Sequence, residues 1–303
     1  MNLGETTAPL LYRAGWKVVG ALPERAAGRM FTWGADRASD DGRGMDMLRR
    51  NLTRVVGAEN VTRQLVRDAS RSYARYWREA FRLPRLAGDP AVLRAIDEHF
   101  VGREHIDASR EEGRGVIITL PHSGNWDMAG MWLVANYGTF TTVAERLKPE
   151  SLYEAFVDFR ASLGFEVLPL TGSEPPHRRL EEVLRGNGIV CLLGERDLTP
   201  RGVPVTFFGE ETTMPAGPAK LAAETGAVLL TAHSWFPSGD APSWGLKAEA
   251  PVEVTTVEET TQRIAHRFER NITAHPADWH MLQPVWPGDR SYLPFRRPVP
   301  RRG

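Results

Sequence analysis

The sequence predicts an α/β fold with a central, mainly parallel sheet flanked by helices and preceded by a helical N-terminal layer. Three observations carry this. Between residues 115 and 274, short apolar runs alternate with amphipathic stretches, the rhythm of successive βα units. The run Gly115-Val116-Ile117-Ile118-Thr119-Leu120 holds no charge, as expected of a strand covered on both faces. The first 110 residues instead repeat apolar positions every three or four residues.

Residues 7–34 are predicted helical, with Leu10, Leu11, Ala14, Val18, Val19 and Leu22 on one face and a restart after Pro23. The pair reads equally as core helices or as helices partly in a membrane interface, and Arg13, Lys17, Arg25, Arg29 and Arg37, with Trp16 and Trp33, suit the interface. Helices follow at 43–56 and 60–80. The second carries Arg63, Arg67, Arg71, Arg75 and Arg78 as a stripe, either a solvated face or a contact for lipid phosphates. Pro84 is expected to end this region, and 90–112 to form one further helix. Strands are expected at 115–120, 140–144, 166–170, 188–193, 227–233 and 247–252. Helices are expected at 125–136, 150–162, 176–186, 215–225 and 256–274, with an apolar loop at 202–209. No linker demands a second domain. The expected organisation is one domain over 1–295, with a helical layer at 1–112, an α/β core at 113–295 and a disordered basic tail at 296–303.

Lys plus Arg and Asp plus Glu both total 38, so global charge gives no ground for a nucleic-acid partner. The lone Cys191 lies in an apolar run and reads as a buried strand residue. No stretch reaches the roughly 18 apolar residues of a membrane span. Glu5, Arg13 and Lys17 break any signal-like segment, so a cytosolic protein, or one held on the cytosolic face of a membrane, is expected. The eight histidines are scattered and no His-Glu-x-x-His occurs, so no metal is expected.

The chemistry concentrates where strands end, the edge at which open α/β sheets hold their ligands. His122 follows the central strand in Leu120-Pro121-His122-Ser123-Gly124-Asn125-Trp126-Asp127. An imidazole of near-neutral pKa takes a proton from a hydroxyl, and a carboxylate on its other nitrogen fixes the tautomer. Asp127 is one candidate for that carboxylate. Glu195, in Gly194-Glu195-Arg196-Asp197 after the 188–193 strand, shares or replaces that role. Arg196 is a candidate for binding a phosphate or an oxyanion, and a purely structural salt-bridge cluster is the alternative. Glu145 and Arg146 end another strand, and Arg160 is placed to pair with Glu145 or a ligand phosphate. Ser123 lacks the Gly-x-Ser-x-Gly context of a nucleophile.

His122-x4-Asp127 resembles the His-x4-Asp motif of glycerolipid acyltransferases. The ordered continuation through Glu145-Arg146, Arg160, Gly194-Glu195-Arg196-Asp197, Gly202 and Phe207-Phe208-Gly209 is similar to the lipid A biosynthesis acyltransferase superfamily, over about residues 1–295. Within it the chain most resembles the phosphatidylinositol mannoside acyltransferases of mycobacteria and their relatives. The anchor helix and basic excess usual in the lipid A branch are not expected here, and Glu195-Arg196-Asp197 stands where that branch tends to carry Asp-x-Asp. The resemblance implies a glycerolipid-acyltransferase-like fold and no bound cofactor. It implies an acyl-CoA donor, with palmitoyl favoured, and as acceptor the 6-hydroxyl of a mannose on phosphatidylinositol mono- or dimannoside. It implies His122 as base, Glu195 as its relay partner and Asp127 as a residue that helps hold the site. Glu145, Arg160, Arg196 and Asp197 carry over as substrate-side or structural residues. With this resemblance the basic N-terminal helices would seat the protein peripherally on the cytoplasmic leaflet of the inner membrane, and a monomer is expected. The alternative is another glycolipid or lipid A-like acceptor with an acyl carrier protein donor, which the 63–78 stripe would dock.

Overall fold

The computed structural model describes residues 18–146, 150–171, 175–198, 202–238 and 243–292. The start of the predicted first helix and the 296–303 tail lie outside the described residues.

The N-terminal layer comprises α1 (Glu24–Ala38), α2 (Asp46–Val56), α3 (Arg63–Leu86) and α4 (Pro90–Asp97). Helix α3 starts where the Thr62 side chain accepts from the Leu65 N–H, and it runs past Pro84 instead of stopping there. The single helix expected at 90–112 is broken in two. A short strand β1 (Phe100–Val101) and Gly102 intervene before α5 (Arg103–Glu111). Gly102 has φ +82, and a Cβ there would clash with the Ala248 carbonyl oxygen. The break is a close backbone approach that periodicity does not register. The sheet thus reaches into the region expected to be purely helical.

The arginine stripe of α3 is a seam and not a free basic face. Arg63 and Arg67 pair with Asp41, Arg67 at 3.2 Å. Arg71 grips Asp36 through two bonds of 2.6 and 2.7 Å. Arg75 pairs with Glu79 at 2.7 Å, and Arg78 with Glu24 at 3.4 Å. The expectation of a surface for lipid phosphates or a carrier protein is corrected here, because most of these guanidinium groups meet carboxylates of α1 and of the turn after it.

In the core, β2 (Val116–Leu120) leads to α6 (Trp126–Tyr137) and β3 (Phe140–Ala144). Then come α7 (Glu150–Ser162), β4 (Phe165–Pro169), α8 (His177–Arg185) and β5 (Ile189–Leu193). A hairpin of β6 (Val203–Phe207) and β7 (Glu210–Met214) precedes α9 (Gly217–Thr225), β8 (Val228–Trp235), β9 (Gly245–Ala248) and α10 (Val257–Ala274). The sheet order is β1-β9-β8-β2-β5-β3-β4, and β8–β9 is its antiparallel pair. Strand β2 is central and wholly buried, as its uncharged sequence requires. One face is covered by α8, α9, α10 and the hairpin, with Leu180, Leu221 and Phe268 in that layer. The other is covered by α4, α5, α6 and the end of α3, with Ile96, Ile106, Met128 and Leu83.

Two expectations change. The segment 202–209 is not a loop. Val203, Val205 and Phe207 point inward in alternation, and Phe208 and Gly209 turn the chain with φ +50 and +77, the pattern of a tight two-residue hairpin. The strand expected at 247–252 lies earlier, at 245–248.

Candidate active site

Strands β2 and β5 run parallel with Leu120 opposite Leu193. Two residues beyond each strand end, this register sets His122 beside Glu195. One carboxylate oxygen, Glu195 Oε1, accepts from the His122 backbone N–H at 2.7 Å and from Nδ1 at 2.8 Å. A carboxylate only accepts, so Nδ1 carries the proton and Nε2 presents a lone pair. Glu195 is fully buried, while the His122 side chain is 27% exposed. Burial works against the Glu195 charge, but the His122 ring and its backbone N–H outweigh it and hold the carboxyl below its ordinary range. The Trp279 indole N–H adds a longer contact of 3.4 Å to the same oxygen.

The His122 turn is clamped from the C-terminal segment. Gly124 N–H donates to the Asp278 carbonyl at 2.9 Å, and His280 N–H donates to the His122 carbonyl at 2.8 Å. Gly124 has φ +53, and a Cβ there would meet the Ser234 backbone at 2.5 Å, so the turn requires glycine. Ser123 is buried and its hydroxyl meets His233 Nδ1 at 3.0 Å, which suits packing and not nucleophilic attack. Burial also raises the pKa of the Cys191 thiol, which disfavours the nucleophilic thiolate.

Asp127 lies elsewhere in the site. Its Oδ1 accepts from Arg160 at 2.9 and 2.7 Å, and its Oδ2 from the Tyr76 hydroxyl at 2.9 Å. Of the two carboxylates considered for the imidazole, Glu195 occupies that position and Asp127 anchors Arg160. Arg160 also stacks over Phe156 at 3.8 Å. It therefore meets neither Glu145 nor open solvent. Glu145 is exposed at the cavity and makes no ion pair among the described residues. Arg196 is half-buried in the cavity wall, also without an ion pair among the described residues. Asp197 accepts from Gly202 N–H and the Thr213 hydroxyl, each at 3.1 Å, and so ties the strand end to the hairpin.

His122, Asp127, Glu145, Arg160, Arg196 and Asp197 line a cavity of about 1120 Å³. One part is apolar and reaches across the sheet, lined by Ile118, Gly130, Trp132, Leu133, Phe140 and Phe165. Another, between α8 and α9, is lined by His177, Leu180, Pro215, Lys220 and Leu221. Tyr73, Trp77 and Trp126 also line the cavity, with the Trp126 ring edge-on to His122 at 5.5 Å.

The model of the bacterial lipid A biosynthesis acyltransferases matches residues 3–287. The chain belongs to this family. As a lipid A-type acyltransferase it is an O-acyltransferase. It is similar to the phosphatidylinositol mannoside acyltransferase of Mycobacterium tuberculosis, at 53% identity over 295 residues, covering 96% of this chain and 92% of the relative. It is similar to the enzyme of the same name from Mycolicibacterium smegmatis, at 53% identity over 298 residues, covering 95% and 94%. Among the described residues no helix of this acyltransferase is long and apolar enough to cross a membrane. Sequence reasoning missed the site contributions of Tyr76, Trp279 and His280. They come from α3 and the C-terminal segment, and no motif links those segments to His122.

Proposed function

We propose that this acyltransferase moves a fatty acyl chain, with palmitoyl favoured, from acyl-CoA to the 6-hydroxyl of a mannose of phosphatidylinositol mono- or dimannoside. The observation that carries the reading is the buried Glu195 carboxylate on Nδ1 of His122, with that imidazole lining a cavity that has an apolar part. Nε2 of His122 takes the hydroxyl proton as the sugar oxygen attacks the thioester carbonyl. Glu195 stabilises the imidazolium that forms. The tetrahedral intermediate expels the coenzyme A thiolate, which receives the proton from the imidazolium.

The other groups take supporting roles. The Asp127–Arg160 pair holds a wall of the cavity. Glu145 accepts sugar hydroxyls, and Arg196 receives a substrate phosphate. Asp197 keeps Arg196 in place by fixing the chain after it. The half-buried rings of Trp126, Tyr73 and Trp77 suit the face of a sugar. No step requires a bound cofactor. The basic stripe of α3 is engaged by acidic partners, which favours acyl-CoA over a carrier-protein donor.

We place the protein peripherally on the cytoplasmic leaflet of the inner membrane, and the exposed face of α1 supports the peripheral seat. Arg25, Arg29, Trp33 and Arg37 follow one another every four residues and are exposed, with Met30 beside them and Trp33 70% exposed. Such a face lies in a lipid interface.

The test pairs His122→Ala with mass analysis of the product formed from palmitoyl-CoA and phosphatidylinositol mannosides. The parent yields a glycolipid heavier by one acyl group on the mannose 6-oxygen, and the folded variant yields none. Parent-like turnover by the variant overturns the base, and acylation at another position overturns the acceptor.

A further inference from the structure

Behind the His122 turn lies a buried carboxylate that the transfer chemistry does not use. Glu79 sits on α3 and is 3% exposed. A buried charge is tolerated only when it is paired and hydrogen-bonded, and Glu79 is both. Its Oε1 accepts from Arg75 Nε at 2.7 Å. Its Oε2 accepts from Asn125 Nδ2 at 2.7 Å and from Trp244 Nε1 at 2.8 Å. Arg75 is itself held, by donating to the Ser243 carbonyl at 2.8 Å and by lying over the Phe236 ring at 3.9 Å.

Asn125 caps α6. Its Oδ1 accepts from the backbone N–H groups of Asp127 at 3.1 Å and Met128 at 3.0 Å. The amide has one workable orientation. Turned over, its NH2 would face two N–H donors and its oxygen would face a carboxylate. Glu79 thus holds Asn125 from one side while the start of α6 holds it from the other. The neighbours of Asn125 are the working residues: His122 three positions earlier, Trp126 against the His122 ring, and Asp127 on Arg160.

We propose that Glu79 is a positioning residue for acyl transfer, acting through Asn125 to set the entry of α6 and with it the placement of His122, Trp126 and Asp127. This rests on the reading of His122 as the base. Misplacement of a reacting group by about 1 Å costs about a hundredfold in rate. A neutral polar side chain cannot substitute for Glu79, because three donors converge on its two oxygens.

The experiment measures kcat and KM per folded molecule with palmitoyl-CoA and phosphatidylinositol mannosides, and Tm alongside. In Glu79→Gln the single amide oxygen serves Arg75 or the Asn125–Trp244 side, not both, and kcat falls about ten- to hundredfold with KM for the donor nearly constant. Asn125→Ser still caps the helix but falls short of Glu79; it loses kcat similarly and carries the test should Glu79→Gln not fold. Asn125→Asp sets two carboxylates face to face. There Glu79→Gln, harmful in the parent, raises turnover, because the introduced amide donates to the introduced carboxylate. Trp244→Phe removes a donor from the same oxygen without touching the turn, so Tm falls and kcat stays. Two results overturn the proposal: kcat within about twofold of the parent for folded Glu79→Gln or Asn125→Ser, or no improvement of Asn125→Asp by Glu79→Gln. His122→Ala separates the two readings. Turnover by that variant refutes the base, whereas its inactivity beside fully active Glu79→Gln and Asn125→Ser refutes only the role of Glu79.

Discussion

Replacing Glu195 with glutamine removes one charge and leaves the shape of the site. Three donors converge on Glu195 Oε1, the His122 backbone N–H, Nδ1–H and, at a longer 3.4 Å, the Trp279 indole N–H. A glutamine presents its oxygen to them, because its NH2 would meet the backbone N–H head-on. The imidazole tautomer is therefore kept, and only the electrostatic stabilisation of the imidazolium is lost. A contact of 2.8 Å between Nδ1 and Oε1 puts the charge centres about 4 Å apart, where a unit pair is worth about 4 kcal/mol at an effective dielectric near 20. The proton is partly transferred in the transition state, so about 2–4 kcal/mol is at stake, a loss of about 30- to 1000-fold in kcat. The assay is the initial rate at saturating palmitoyl-CoA and phosphatidylinositol mannoside, on protein matched for folded fraction by circular dichroism. A kcat within about threefold of the parent, or a loss confined to KM, refutes the reasoning.

Three further outcomes are expected. Asp127→Asn strands the buried Arg160 guanidinium and destabilises the fold by about 3–5 kcal/mol in urea, while Asp127→Asn with Arg160→Met recovers most of it; equal stability of the single and double variants would count against a buried ion pair. Trp33→Ser leaves Tm unchanged and weakens binding to vesicles of anionic phospholipid about tenfold or more, since an inserted aromatic ring contributes about 1.5–3 kcal/mol; unaltered co-sedimentation would remove α1 from the interface. Stability also falls with acid. Burial holds both His233 and His280 neutral to about 3, against 6.5 in the free side chain. Below pH 6.5 the unfolded chain binds protons that the folded protein does not, so each histidine takes away about 1.4 kcal/mol per pH unit on the way down toward 3. Urea midpoints between pH 6 and 4.5 for the parent and His280→Gln check this, and parallel slopes for the two proteins would contradict it.

The parts readable from the chain are those set by local physics. The uncharged run at 116–120 dictates a central strand, and the 257–274 helix follows from Ile264, Phe268 and Ile272 falling in step. The Pro-His-Ser-Gly-Asn turn places an imidazole at the sheet edge because strand end, turn glycine and helix cap are adjacent in sequence. The hairpin at 203–214 was legible in principle, through the alternation of Val203, Val205 and Phe207. Its short strands and the Pro204 interruption mask it as a loop.

What tertiary structure decided is pairing across distance. Asp127 is five positions from His122, yet the carboxylate on the imidazole is Glu195, 73 positions away, because parallel register aligns Leu120 with Leu193. The arginines of α3 look like a free basic surface in the chain and become a partly exposed ion-paired seam once α1 and its following turn supply Asp36, Asp41 and Glu24. Glu79 has no visible connection to the site until packing sets it against Asn125. Periodicity and turn chemistry act over a few residues and can be read along the chain. Electrostatic and hydrogen-bond partners are chosen by how strands and helices dock, and that choice is made only by the folded core.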